Sequence, residues 1–372
     1  MIMWLAIFAA VILMSVGGAV YLVTRFHRFS FIEHTAERHK ALSWVLSAVP
    51  LLLIGLFAFI NVWTVMIILI HLFVFWVGAD IIASFVRRVT KRERRRNTEG
   101  AAAIAVTAVY LGIGWFLAHH VFITHYDLTT RKSLPDNGLR IVLIADPHLG
   151  ITLDGGEFSY HMERISELDP DAVVLAGDFV DDESIREDMV KSCEALGRLA
   201  DQCGVYFIFG NHDKGYYEGY RDFDTAQLRE ELERNDIVIL EDETAVIDGV
   251  CCIAGRQDKS EEERGGSRAS VDEVLSGADS SLYTILLDHQ PNSYDEEAGS
   301  GADLVLSGHT HGGHIFPAGQ IGLLMGANDR IYGTENRNGT DFLVTSGISG
   351  WAIPFKTGTF SEIVVIDITE GE

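Results

Sequence analysis

Two hydrophobic rhythms divide the chain. Met1 to Thr24, Ala41 to Ala79 and Ala101 to Thr124 contain no charged residue. A helix needs ~20 largely apolar residues to cross a bilayer. The first and third stretches suit one crossing each. The second, extended to Val86, is about twice too long for one crossing and reads as two helices turning near Asn61. Four spanning helices are therefore expected, at about 2–24, 42–59, 63–86 and 101–123. The first stretch lacks a basic start and a clear small-residue cleavage site, so it reads as a retained helix and not an export signal. From Leu139 the rhythm shortens to apolar runs that end in polar clusters. Those runs predict strands at Arg140–Ala145, Ala172–Ala176, Val205–Phe209, Ile237–Leu240, Val250–Ala254, Tyr283–Leu287, Leu304–Leu306, Phe342–Thr345 and Ile363–Ile368. Helical stretches are expected between several of them, near 157–168, 183–201, 223–234, 270–277 and 292–299, and an exposed loop at 258–268. Alternating strands and helices indicate an α/β layered domain, with a second sheet packed on the first in the strand-rich last third. The expected division is a membrane domain at 1–126 and a catalytic domain at 127–372.

Charge sharpens this division. Residues 1–130 carry 11 Lys and Arg against 6 Asp and Glu, and the remainder carries 18 against 47. Arg25, Arg28, Arg38 and Lys40 lie between the first two expected spans. Arg87, Arg88, Lys91, Arg92, Arg94, Arg95 and Arg96 lie between the third and fourth. Basic loops stay cytoplasmic, so the acidic half is expected outside the cytoplasm on a multi-pass membrane protein. Its acidity makes nucleic acid an unlikely partner, because binding a phosphate backbone gains from Lys and Arg. His71 and Asp80 are the polar exceptions inside the third span. Asp80 lies close enough to its end to reach the interface or pair there, and His71 can hydrogen-bond to a neighbouring helix, so a structural role is expected for both. Cys193, Cys203, Cys251 and Cys252 show no metal-ligand spacing. Cys251 and Cys252 read as buried small hydrophobes, and a Cys193–Cys203 bridge is open.

The candidate chemistry sits just after the strands. Ala145-Asp146-Pro147-His148 follows the first, Gly177-Asp178-Phe179-Val180-Asp181 the second, and Gly210-Asn211-His212-Asp213 the third. Asp288-His289-Gln290 and Ser307-Gly308-His309-Thr310-His311-Gly312-Gly313-His314 follow two later strands. Ligands of open α/β sheets bind at the carboxyl ends of strands. Five such ends would gather Asp, His and Asn on one rim, a donor set suited to Mn²⁺, Fe²⁺ or Zn²⁺. Singly, each piece could be a helix cap or a core histidine; five in order point to a metal site.

These motifs resemble the calcineurin-like metallophosphoesterases, whose signature runs D-x-H, G-D-x-x-D, G-N-H-[DE], a separate His, and G-H-x-H. The likeness extends from about Leu139 to Thr369, and the segments around His289 and His309 resemble a bacterial branch of membrane-linked and exported phosphodiesterases. It implies a four-layer α-β-β-α sandwich preceded here by the four transmembrane helices, and two divalent metal ions. By motif, Asp146, His148 and His311 would hold the first ion, Asn211, His289 and His309 the second, and Asp178 would bridge them. His212 would stand beside the leaving-group oxygen, supported by Asp181. His314 stands where this branch often has Gln, and Lys356 where many relatives have Arg. Either could touch substrate, and a structural role for His314 is equally open.

The expected function is a membrane-anchored phosphoesterase acting on a phosphodiester, for which a lipid-linked ester is a candidate. A metal pair ~3.5–4 Å apart acidifies a shared water and neutralises phosphoryl oxygens. A phosphate-binding receptor or scaffold without turnover, and an exported nuclease, are the alternatives. The intact motif set and the acidic domain speak against them in turn.

Overall fold

The computed structural model describes residues 2–59, 61–91, 96–215, 220–247 and 249–371, with the backbone alone for residues 2–11. Arg92, Arg94 and Arg95 of the basic loop lie outside the described residues. The chain forms two compact units, Met1–Ile113 and Gly114–Glu372.

The first unit is helical: α1 (Ile2–Phe26), α2 (Ser30–Arg38), α3 (Lys40–Gly55, running on as a 3-10 turn Leu56–Phe59), α4 (Val62–Thr90) and most of α5 (Thr98–His119). Among the described residues three helices are long and apolar enough to cross a membrane: Lys40–Phe59, Val62–Thr90 and Thr98–His119. The described part of α1, Ile12–Phe26, is a shorter apolar helix, so the expected count of four rests on three full spans and α1. Asn61 marks the turn as expected, because its side chain caps α4 by accepting the Thr64 N–H at 3.1 Å. Leu22, Phe26, Leu72, Trp76 and Ala103 form the buried core of this unit. Asp80 accepts the Tyr21 hydroxyl at 2.8 Å and pairs with Arg25 at 2.7 Å. His71 bonds back to the Ile67 carbonyl of its own helix at 2.8 Å, with its ring 5.4 Å from that of Tyr110. Both are absorbed by packing.

The apolar run read as a span to residue 123 gives way after His119 to β1 (Val121–Thr130). Then follow β2 (Leu139–Ile144), α6 (Gly155–Ser166), β3 (Ala172–Ala176), α7 (Arg186–Ala200), β4 (Gly204–Ile208), α8 (Thr225–Arg234), β5 (Val238–Ile239), β6 (Glu243–Ile247) and β7 (Cys251–Gly255). The remainder is α9 (Ser260–Glu263), α10 (Val271–Leu275), β8 (Tyr283–Leu287), α11 (Tyr294–Glu297), β9 (Leu304–Ser307), α12 (Ala318–Leu324), β10 (Gly333–Arg337), β11 (Thr340–Val344) and β12 (Ser361–Glu370).

The strands make two mixed sheets of six, in the orders β1-β12-β2-β3-β4-β5 and β10-β11-β9-β8-β7-β6. Neighbours β2, β3, β4 and β5 run parallel, as do β7, β8, β9 and β11. Alternation along each strand sorts its side chains to two faces. Val142, Ile144, Val173, Leu175, Val205 and Phe207 pack on Phe158, Met162, Leu196 and Leu228 of α6, α7 and α8. Ile141, Leu143, Val174 and Ile208 face the other way, onto Ile253, Ile285, Leu287 and Leu306 of the second sheet. Leu286, Val305, Phe342 and Val344 turn outward onto Val271, Val274 and Tyr294 of α10 and α11. Three apolar seams between helices, sheet, sheet and helices make the four-layer α-β-β-α sandwich. Its central strands are apolar on both faces because both faces are covered. Asp154, Asp224 and Ser270 start α6, α8 and α10 with reciprocal capping boxes. All four cysteines are free, with Cys193, Cys251 and Cys252 buried.

Candidate metal centre

Parallel neighbours end on the same rim, so β2, β3 and β4 of one sheet and β8 and β9 of the other carry the predicted residues to one place. Asp146, His148, Asp178, His309 and His311 have φ of 55°, 38°, 54°, 69° and 47°. A side chain with a Cβ is strained in this left-handed region, and such strain collects where function demands it. Glycines make room for the tight loops. A Cβ on Gly210 would run into Asp178 Oδ1, and one on Gly308 would lie 2.9 Å from Asp146 Oδ2.

Asp146, His148 and His311 form one group whose ligand atoms lie within 4.8 Å of one another, and Asp178, His289 and His309 form a second. Asn211 joins the second, its Oδ1 2.9 Å from His309 Nδ1 and 3.2 Å from His289 Nε2. Asp178 stands between them, with Oδ2 3.5 Å from His148 Nε2 and 3.1 Å from His289 Nε2. A third group of His148, Asp181 and His212 is a hydrogen-bonded relay. Asp181 receives His148 Nδ1 on one oxygen at 3.0 Å and His212 Nδ1 on the other at 3.1 Å.

The donors are pre-set for cations. His311 Nδ1 donates to the Ser349 carbonyl at 3.1 Å and His289 Nδ1 to the Ala176 carbonyl at 2.7 Å. With Nδ1 so engaged, each ring presents the Nε2 lone pair inward. His148 Nε2 and His311 Nε2 then face each other at 3.2 Å, an arrangement that a cation shared between them would satisfy. Asp146 Oδ2 is buried without a hydrogen-bond partner among the described residues, which is costly unless a metal meets it. These residues therefore fit a divalent ion in each group.

Electrostatics agree with the division of labour. Burial would favour a neutral Asp178, but His289, His212 and His148 hold its carboxyl well below the usual range. Burial opposes charge on His212 as well, yet Asp178 and the hydrogen-bonded Asp181 raise it to about 9. The two carboxylates thus favour the protonated ring of His212, and the exposed Trp351 lies 5.6 Å from it. Burial and the neighbouring His289 lower His309 to about 4.

Residues 139–313 match the calcineurin-like phosphoesterase family. An uncharacterized metallophosphoesterase of Aquifex aeolicus is 31% identical over 250 residues, which cover 66% of this chain and 91% of that one. The chain belongs to the calcineurin-like phosphoesterases. A transmembrane protein with a metallophosphoesterase domain from Danio rerio is 32% identical over 246 residues, covering 63% of this chain and 54% of its own. An uncharacterized metallophosphoesterase of Helicobacter pylori is 33% identical over 234 residues, covering 62% and 60%. The matched parts thus span little more than half the length of these two relatives. Family membership and the two ligand clusters together support a dinuclear divalent metal centre in this chain.

All nine predicted residues meet at this centre, and the two further candidates, Lys356 and His314, lie behind it. Lys356 is fully buried and donates from Nζ to the Ser346 and Gly347 carbonyls at 2.6 and 3.1 Å. It braces the loop whose Ser349 carbonyl orients His311, and it makes no rim for substrate. His314 lies behind His311, ring centroids 5.3 Å apart, with its Nε2 buried and unpartnered among the described residues. Burial and the nearby Lys356 charge lower its pKa to about 3.

Sequence reasoning missed three supports of the candidate metal centre. Asp213, the last letter of G-N-H-D, accepts the backbone N–H groups of Asp178, Gly210 and Val180 at 2.9, 2.7 and 3.0 Å. Burial and the Asp178 carboxylate push it up to about 6. Arg264 donates to the Asn211 carbonyl at 3.0 Å and the Gly215 carbonyl at 2.8 Å. It comes from the stretch expected to be only an exposed loop, part of which is α9. The Ser349 carbonyl is the third; a main-chain acceptor leaves no side-chain signal in a sequence.

Proposed function

We propose that this chain is a membrane-anchored, two-metal phosphodiesterase that hydrolyses lipid-linked phosphate esters outside the cytoplasm. The observation that carries the reading is the sharing of Asp178 between two ligand groups, with His212 fixed beside them through Asp181. Asp146, His148 and His311 would hold one ion, and Asn211, His289 and His309 the other. A divalent pair, when bound, supplies acidified water and neutralises the phosphoryl oxygens. His212 holds its proton on the open side of the cluster, where it can be given to the departing alkoxide oxygen. Asp181 keeps that proton available by accepting from Nδ1, which leaves Nε2–H to face the ester. No serine or cysteine nucleophile is required, and the buried cysteines are poor candidates: burial pushes the Cys251 thiol up to about 12.

The apolar helices and the transmembrane relative support anchoring, and the basic loops support an outward-facing catalytic unit. A tether of this kind favours amphiphilic esters over freely diffusing ones. The purified full-length chain in detergent with Mn²⁺ and bis-p-nitrophenyl phosphate tests the chemistry. Turnover is expected to fall about 10²–10⁴-fold in His212→Ala and to be lost in Asp178→Asn. No turnover in the unmutated protein would leave the receptor reading in its place, and undiminished turnover in both variants would place the activity outside this centre. A panel of lipid and soluble phosphodiesters then tests the substrate class.

A further inference from the structure

The catalytic unit is strongly acidic, yet from Ile315 to Asn328 it carries no charged residue. This segment contains α12, which buries none of its residues. Phe316, Ile321, Leu323, Leu324 and Met325 are all exposed, Leu324 to 87%. An apolar patch left open on a highly charged domain marks an interaction surface. Its placement identifies the partner. Phe316 N–H donates to Thr357 Oγ1 at 3.0 Å, and Thr357 N–H donates to the His314 carbonyl at 2.9 Å. One residue before, Lys356 N–H donates to the Gly114 carbonyl at 2.9 Å. Gly114 belongs to this same unit and lies in the last turns of α5, a helix of membrane-spanning length and hydropathy. The fit there is close: a Cβ on Gly114 would lie 2.8 Å from Thr357 Cγ2. Trp115 beside it is half-exposed, the amphipathic aromatic type that collects at a membrane–water boundary.

We infer that the Phe316–Met325 segment is a membrane-docking surface, seated in the interfacial layer of the bilayer that α5 enters. A short apolar element on a charged protein is suited to lie in that plane, and only two residues of backbone separate its anchor from a helix end already there. The patch is also tied to the metal loop. Gly319 of α12 packs against the backbone of Gly313, two residues past His311, too closely to admit a side chain. Docking therefore holds the rim of the site against the lipid surface, where the phosphoester of a lipid headgroup would be presented. That substrate statement rests on the proposed phosphoesterase function; the docking itself does not.

The test uses the full-length chain with Cys203→Ser, reconstituted in vesicles of phosphatidylcholine and phosphatidylglycerol. An environment-sensitive fluorophore is placed at Leu324→Cys, at Met325→Cys, and at a control site, Tyr160→Cys, on the exposed face of α6. The two α12 labels are expected to shift to the blue, to be quenched several-fold more by nitroxide-bearing lipid than the control, and to be shielded from aqueous iodide. Quenching by iodide as strong as at Tyr160→Cys, at both α12 positions, would overturn the inference. The readout needs no turnover, so a docked but inactive protein would refute the enzymatic reading alone.

Discussion

At the scale of single residues, Asp181 is the hinge of the site. One oxygen serves His148 and the other His212, so a single substitution reaches both a candidate ligand and the candidate acid. Asp181→Asn is expected to weaken metal retention and turnover together, by about 10–100-fold, the usual penalty for removing a group that orients a ligand. Isothermal titration with Mn²⁺ and steady-state kinetics check the two losses separately. A second residue-scale prediction lies away from the centre. His161 of α6 is buried beside Arg164, whose Nη1 is 3.1 Å from its Nδ1. Burial, then the Arg164 charge, lower it to about 4. The unfolded chain takes up this proton near 6.5, the folded chain only near about 4. The unfolded state thus binds more protons in that window, and stability falls as pH drops from about 6.5 to about 4. Thermal unfolding of His161→Leu should show a flatter decline across that window than the unmutated protein.

At the scale of elements, the five strand ends were readable because each apolar run stops at a polar motif. Asp146, Asp178, Asn211, His289 and His309 all stand where that reading put them. What escaped it has physical causes. β6 and β10 are edge strands with exposed, polar residues such as Glu243 and Thr334, so no apolar run announces them. β1 alternates, but it follows α5 so directly that its apolar residues merged with the helix. Arg264 and Ser349 act on main-chain atoms or through them, 53 and 38 positions from their partners, and nothing local records such a bond. The glycines of the loops make a prediction at this level. Gly308→Ala forces a methyl against Asp146 and Ala145. Overpacking of this kind costs about 1–3 kcal/mol, and here it would displace a ligand candidate. Metal content after dialysis should drop, with far-ultraviolet circular dichroism unchanged.

For the whole molecule, the testable matter is sidedness. If basic loops fix the orientation, a membrane-impermeant maleimide should label Thr334→Cys on intact cells in a Cys203→Ser background, and labelling only after lysis would reverse the assignment. Removal of divalent ions should also register globally. Buried Asp146, Asp178 and His289 then face one another without a cation, so chelation is expected to lower the melting temperature of the full-length protein in detergent, and Mn²⁺ to restore it.

The sheet order carries a further consequence, for synthesis. β12 lies between β1 and β2, parallel to the first and antiparallel to the second. The first two strands of the catalytic unit to leave the ribosome are therefore parted by the last. Until residues 361–370 arrive, β1 and β2 border an unfilled slot, and the long sequence separation makes that closure slow. A nascent chain halted before Ser361 should stay open to protease from β1 onward, however much of the remaining sandwich has formed.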